Sequence, residues 1–129
     1  MASKIILQLS KALKARTDIK FSILFGSRAR GTETPESDWD IAIWFKDNSD
    51  AWENLGKKED IRNQVCKLFA INETKVDIVD LARSELSINA TVVDEGIELS
   101  EQDSLALAYY YQGVWSKIEE FYWNLNHAA

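Results

Sequence analysis

Apolar residues recur at every third or fourth position near the start of the chain. Ile5, Ile6, Leu9, Ala12 and Leu13 share one side, with Lys and Gln between them, which predicts a helix over residues 3–16. The pattern then changes. Residues 19–25 are a run of β-branched and aromatic side chains stopped by Gly26, and 38–45 is a second such run. Between them, 27–37 is a loop rich in Gly, Thr, Ser and Pro, longer than a tight hairpin needs. Asp47-Asn48-Ser49-Asp50 reads as a turn and helix start. It leads into a helix over 51–70 that is expected to turn Trp52, Leu55, Ile61, Val65, Leu68 and Phe69 inward. A third strand is predicted over 75–81, a short helix over 84–94 ending near Gly96, and a last helix over 103–126 of about six turns. The order helix, strand, strand, helix, strand, helix, helix gives an α+β fold, a small sheet packed against helices.

Length and composition narrow this further. A chain of 129 residues with 46% hydrophobic and 28% charged residues suits one folded domain over 1–129, with no repeat, low-complexity tract or linker. Its single cysteine excludes an internal disulfide. No run approaches the ~20 apolar residues of a membrane span. The N-terminal stretch is interrupted by Lys11 and Lys14 and lacks a small-residue cleavage site, so no signal peptide is expected and the chain is read as cytoplasmic.

Charge is unevenly spread. The net charge is −6, yet residues 1–30 hold seven basic groups against Asp18 alone. The remainder holds eight basic and twenty acidic groups. Such an acidic chain lacks the Lys and Arg density of a general nucleic-acid binder. A basic segment beside clustered carboxylates fits either a polyphosphate with its metal ions or two solvated faces.

The chemistry is concentrated in Gly26-Ser27-Arg28-Ala29-Arg30-Gly31, then Asp38-Trp39-Asp40, then Asp77. Side chains alternate across a strand, so Asp38 and Asp40 share one face while Trp39, Ile41, Ile43 and Phe45 take the other. Asp77, between Val76 and Ile78, interrupts the third strand in the same sense. Carboxylates gathered on one surface repel unless a cation lies between them. Mg²⁺ is a hard ion commonly held by one or two carboxylates plus substrate phosphates, and a pair of such ions can clamp an in-line displacement. Gly26 lets backbone approach a phosphate, the Ser27 amide and hydroxyl can bond its oxygens, and Arg28 and Arg30 can offset its charge.

Taken together, Gly26-Ser27, Asp38-x-Asp40 and a later strand carboxylate at Asp77 resemble the signature of the DNA-polymerase-β-like nucleotidyltransferase superfamily. The short chain, the Gly-Ser-Arg-Ala-Arg-Gly run and Ser37-Asp38-Trp39-Asp40 resemble its minimal nucleotidyltransferase branch, over roughly residues 18–100. The resemblance implies a small mixed sheet backed by helices and transfer of NMP from NTP to a hydroxyl. It implies that Gly26 and Ser27 hold the β,γ-phosphates and that Asp38 and Asp40 bind two Mg²⁺ ions. Asp77 would complete the metal site and help activate the hydroxyl. Minimal proteins of this kind are commonly antitoxins of HEPN-domain RNase toxins, silencing them by moving AMP from ATP to a toxin tyrosine. A toxin partner of that kind, in a hetero-oligomer, is therefore the implied acceptor. Neutralisation by binding alone, and transfer to a small molecule or an RNA 3′ end, are the alternatives.

The last helix bears on the acceptor independently. Leu107, Tyr111, Val114, Ile118, Phe121 and Leu125 form one stripe suited to burial. Tyr109 and Trp123 project oppositely, while Tyr110, Trp115 and Tyr122 flank the stripe. A helix apolar nearly all round is either wrapped by its own domain or meets a partner. Tyr109, Trp115, Tyr122 and Trp123 are the candidate partner surface. Cys66 reads as a packing residue, His127 as part of a frayed end, and Trp44 and Trp52 as packing or base-stacking residues. No His or Cys offers a nucleophile–base pair.

Overall fold

The computed structural model describes residues 3–48 and 50–128, so Ser49 of the expected turn and the terminal Met1, Ala2 and Ala129 lie outside the described residues. The elements are α1 (Lys4–Lys14), β1 (Ile19–Phe25), α2 (Ser27–Arg30), β2 (Trp39–Phe45), α3 (Ala51–Phe69), β3 (Val76–Asp80), α4 (Leu86–Glu95), β4 (Ile97–Ser100) and α5 (Ser104–His127), with 3₁₀ turns at Glu73–Lys75 and Leu81–Arg83. The four strands form one sheet in the order β3-β2-β1-β4. β1 is antiparallel to both β2 and β4, whereas β2 and β3 run parallel, so the sheet is mixed.

Side-chain alternation divides the core into two layers. On one face Ile41, Ile43, Phe45 and Trp39 pack with Leu9 and Leu13 of α1 and Ile61 and Val65 of α3. On the other face Phe21, Ile23 and Ala42 pack with Val92 of α4 and with Leu107, Tyr110 and Val114 of α5. The helix ends are capped locally. Ser3 accepts from the Ile6 amide, Asp50 from Trp52 and Glu53, and Asp103 from Ala106. Each cap satisfies an amide that the first helical turn leaves without a partner.

Four features differ from the sequence expectation. β4 was not anticipated: it is four residues long with only Ile97 and Leu99 apolar. Its strand character comes from pairing with β1 across the chain, including the buried Ser22–Ser100 hydroxyl contact at 2.6 Å. The expected loop after Gly26 instead begins with the short helix α2. On α3, Trp52, Leu55 and Leu68 face solvent at 80%, 43% and 40% exposure rather than inward. Trp52 precedes the buried Ile61 by nine positions, which at ~100° per residue places it about half a turn away, on the outer side of the helix. On α5, Phe121 and Leu125 of the expected buried stripe are 51% and 58% exposed, because the helix outruns the sheet beneath it. Trp44 is half-buried and stacks on Phe21 at 5.9 Å, and Cys66 packs against the core. His127 stacks on Trp123 at 4.0 Å.

Gly96 joins α4 to β4 with its amide donating to the Val92 carbonyl at 2.9 Å. A Cβ there would strike that carbonyl and the Ile23 side chain, which is fully buried. Gly96→Ala should therefore destabilise the fold by about 1–3 kcal/mol, read as a lower urea midpoint at unchanged slope.

Candidate active site

The site is built where three adjacent strands end on the same side. Phe25, the last residue of β1, is registered opposite Asp40 of β2, and Asp40 is registered beside Asp77 of β3. Gly26, Asp40 and Asp77 therefore stand in a row across the sheet. Asp38 lies one residue before β2, and both Asp38 and Asp77 are exposed while Asp40 is half-buried. Asp38, Asp40 and Asp77 open onto one cleft of ≈ 470 Å³, shared with Arg62, Glu73 and Thr74.

Gly26 has φ 79° and ψ −161°, a conformation that side-chain-bearing residues rarely adopt. The space a Cβ would fill there is taken by the Asp40 carboxylate. The carbonyl of Gly26 accepts from Ala29 and Arg30 at 3.1 Å each, starting α2. As first residues of that turn, Ser27 and Arg28 have amides without an intrahelical acceptor. Gly31 closes the turn in the left-handed conformation, φ 78°.

The two arginines have separate settings. Arg28 donates from Nε and Nη2 to the Ser37 carbonyl at 3.1 and 2.9 Å, and lies 4.3 Å above the Trp39 ring. It thus ties the 31–37 loop down immediately before Asp38. Arg30 pairs with Glu95 at 2.7 Å, and the same Glu95 oxygen accepts from the Gly26 amide at 3.2 Å. Glu95 ends α4 and was not singled out in the sequence, where it is one more acidic residue before a glycine. Its role follows from α4 packing against the sheet, which no local pattern shows. Arg62 likewise reads as part of a polar helix face. In the fold its Nε donates to the Val76 carbonyl at 3.1 Å, at the edge of the cleft.

Burial pushes the Asp40 carboxyl above its ordinary range, reinforced by the negative charges of Asp77, Asp38 and Glu95 and opposed by Arg30. An aspartate held this way favours a cation beside it. Among the described residues, no three Asp, Glu, His or Cys side chains stand close enough to cage a metal ion by themselves. The donor set fits an ion that takes its remaining oxygens from phosphate and water, the usual habit of Mg²⁺.

The chain matches the family model described as polymerase beta, nucleotidyltransferase, over residues 7–105. It belongs to that nucleotidyltransferase family. Over 87 residues it is 34% identical to protein adenylyltransferase MntA of Aphanizomenon flos-aquae (strain 2012/KM1/D3), covering 65% of this chain and 58% of that relative. The aligned part is thus little more than half of the relative's length. Among solved structures, a toxin–antitoxin crystallised with AMP-PNP superposes with a TM-score of 0.68 at 21% identity, over 94% of this chain and 90% of that one. A tri-AMPylated Shewanella oneidensis HEPN toxin in complex with MNT antitoxin gives 0.64 at 19% identity, over 91% and 88%. These two place the nucleotidyltransferase in the same fold as its structural neighbours.

An acid whose folded pKa is raised holds its proton more tightly when folded than when unfolded. Stability therefore falls as pH rises from the ordinary aspartate range through the folded value, and the ionised group is a net cost at neutral pH. Asp40→Asn removes that cost. The variant should show a higher thermal midpoint than wild type at pH 7, and the gain should shrink toward pH ~3.9 and below.

Proposed function

We propose that this nucleotidyltransferase is a Mg²⁺-dependent protein adenylyltransferase and antitoxin, moving AMP from ATP to a tyrosine hydroxyl of a cognate HEPN-domain RNase toxin. The observation that carries the reading is the row Gly26–Asp40–Asp77 across three strands. A backbone built for close approach lies at one end, and carboxylates on an open cleft lie at the centre and the other end. The named activity of MntA, and neighbours crystallised with an ATP analogue or an AMPylated HEPN toxin, point to the same chemistry. The reading places the protein in the cytoplasm, where ATP is available, and in a hetero-oligomer with its toxin. Among the described residues, no helix is long and apolar enough to cross a membrane.

In this reading Gly26 and Ser27 receive the β,γ-phosphates, with Arg30 supplying charge once it leaves Glu95. Arg28 acts mainly by fixing the loop that delivers Asp38, with its charge near the phosphates. Asp38 and Asp40 would hold the ions, and Asp77 would complete the set. When bound, Mg²⁺ supplies charge neutralisation at the phosphates. Asp77 accepts the hydrogen bond of the incoming hydroxyl and so orients its oxygen. The protein's share of catalysis is positioning rather than covalent chemistry.

The test is the mass of the neighbouring gene's product. Co-expressed with wild type, it should gain mass in whole AMP steps. Co-expressed with Asp38→Asn/Asp40→Asn, it should gain none. An unmodified neighbour that still co-purifies with both would overturn transfer in favour of neutralisation by occlusion.

A specific observation supports a binding surface on α5. Tyr109, Trp115, Tyr122 and Trp123 are 63%, 44%, 59% and 60% exposed, the first two on the outer side of the turns that pack on the core and the last two beyond them. Tyr and Trp are the residues that most often carry interface energy. Tyr122→Ala/Trp123→Ala should weaken co-purification with the toxin by about 2 kcal/mol or more and leave the thermal midpoint nearly unchanged.

A further inference from the structure

We infer that the groove on the far side of Asp77 seats the acceptor tyrosine, and that Leu55 and Ile88 form its side-chain slot. The inference rests on the adenylyltransferase reading above. An in-line displacement needs the attacking oxygen opposite the leaving group. With the departing pyrophosphate at Gly26 and the α-phosphorus over Asp40, the line across β1, β2 and β3 reaches Asp77 last. The attacking hydroxyl therefore arrives from beyond β3.

A groove of ≈ 500 Å³ lies there, between the start of α3 and the start of α4. Asp77 lines both this groove and the carboxylate cleft, so the two are continuous through one side chain. The walls include Ala51, Leu55 and Ile88, and the last two are 43% and 36% exposed. Trp52, three residues before Leu55 on α3, is 80% exposed. These side chains contribute little to the core, although the spacing of α3 suggested burial for Leu55 and Trp52. The Asp80–Arg83 pair at 2.9 Å leaves the inner end polar but internally neutralised. Lys58, Ser84 and Glu85 complete a mixed lining, in which the apolar side chains of Leu55, Val79 and Ile88 together with the Asp77 carboxylate match a phenol, whose ring is apolar and whose tip donates a hydrogen bond. The occupant is thus a tyrosine-bearing segment of the protein partner. In the reaction the phenol oxygen forms its bond to the α-phosphorus as the bond to the bridging oxygen breaks. That oxygen's electron pair leaves with pyrophosphate, and the phenol proton passes by way of Asp77 to solvent.

The test uses full-length Leu55→Glu and Ile88→Glu, with Leu55→Met as the conservative control. The acceptor is the neighbouring gene's product, prepared unmodified with the Asp38→Asn/Asp40→Asn variant. AMP incorporation is followed by intact mass, and ATP binding with Mg²⁺ by calorimetry on each variant alone. Both Glu variants should lose about tenfold or more in kcat/KM for the protein acceptor. Their Kd for ATP should stay at the wild-type value, and Leu55→Met should transfer normally. Wild-type transfer by both Glu variants would overturn the groove and leave adenylylation standing. Loss of ATP binding in the Glu variants, with the thermal midpoint kept, would overturn it by making the groove a nucleoside pocket. A wild-type protein that binds ATP but adds no AMP would remove the adenylyltransferase reading and the groove with it.

Discussion

The Asp40 carboxylate occupies the volume that any side chain at position 26 would need. This close approach couples the end of β1 to the middle of the acidic row, and much of the site's geometry follows from it. Gly26 can accept the contact only because it has no Cβ and tolerates φ 79°. The same backbone twist starts α2, whose first turn closes on the Gly26 carbonyl. The backbone proposed to meet phosphate and the carboxylate proposed to face a cation are thus parts of one packed unit. Moving either would move the other.

The unit is held from outside by charge. Glu95 bonds the Gly26 amide and Arg30 through one oxygen, joining the end of α4 to the start of α2. Arg28 fixes the loop before Asp38 through a carbonyl and an aromatic face. Both arrangements use a charged side chain to position backbone. Around them the core is conventional: two apolar layers on the two faces of the sheet, with the carboxylates at its open end. The site is therefore strained by like charges in a fold whose stability comes from elsewhere, the usual division between function and packing.

Much of this was legible in the sequence because it is written in local patterns. Alternation on β2 separated Asp38 and Asp40 from Trp39, Ile41, Ile43 and Phe45, and burial follows that division. The apolar run of β1 ended at the glycine that the structure twists. What escaped was non-local. Ile97–Ser100 becomes a strand only because β1 has a free edge. Glu95 becomes part of the site only because α4 returns to Gly26. Trp52 and Leu55 share one side of α3, and the core covers a different side, the one that carries Ile61 and Val65. Periodicity tells which residues share a side of a helix, but not how far the surface beneath it extends.

That last point has its largest consequence at the end of α5. Every described residue from 119 to 128 is exposed, so no core contact stabilises the helix there. A segment this short is below the ~12–15 residues at which an isolated helix becomes even marginal in water. Its helicity is propagated from the packed turns around Tyr110 and Val114. Local stability must therefore decline along α5 toward its tip. A surface that covers Phe121 and Trp123 would bury aromatic area and also hold these residues in helical form, so association and local folding there draw on a single free energy.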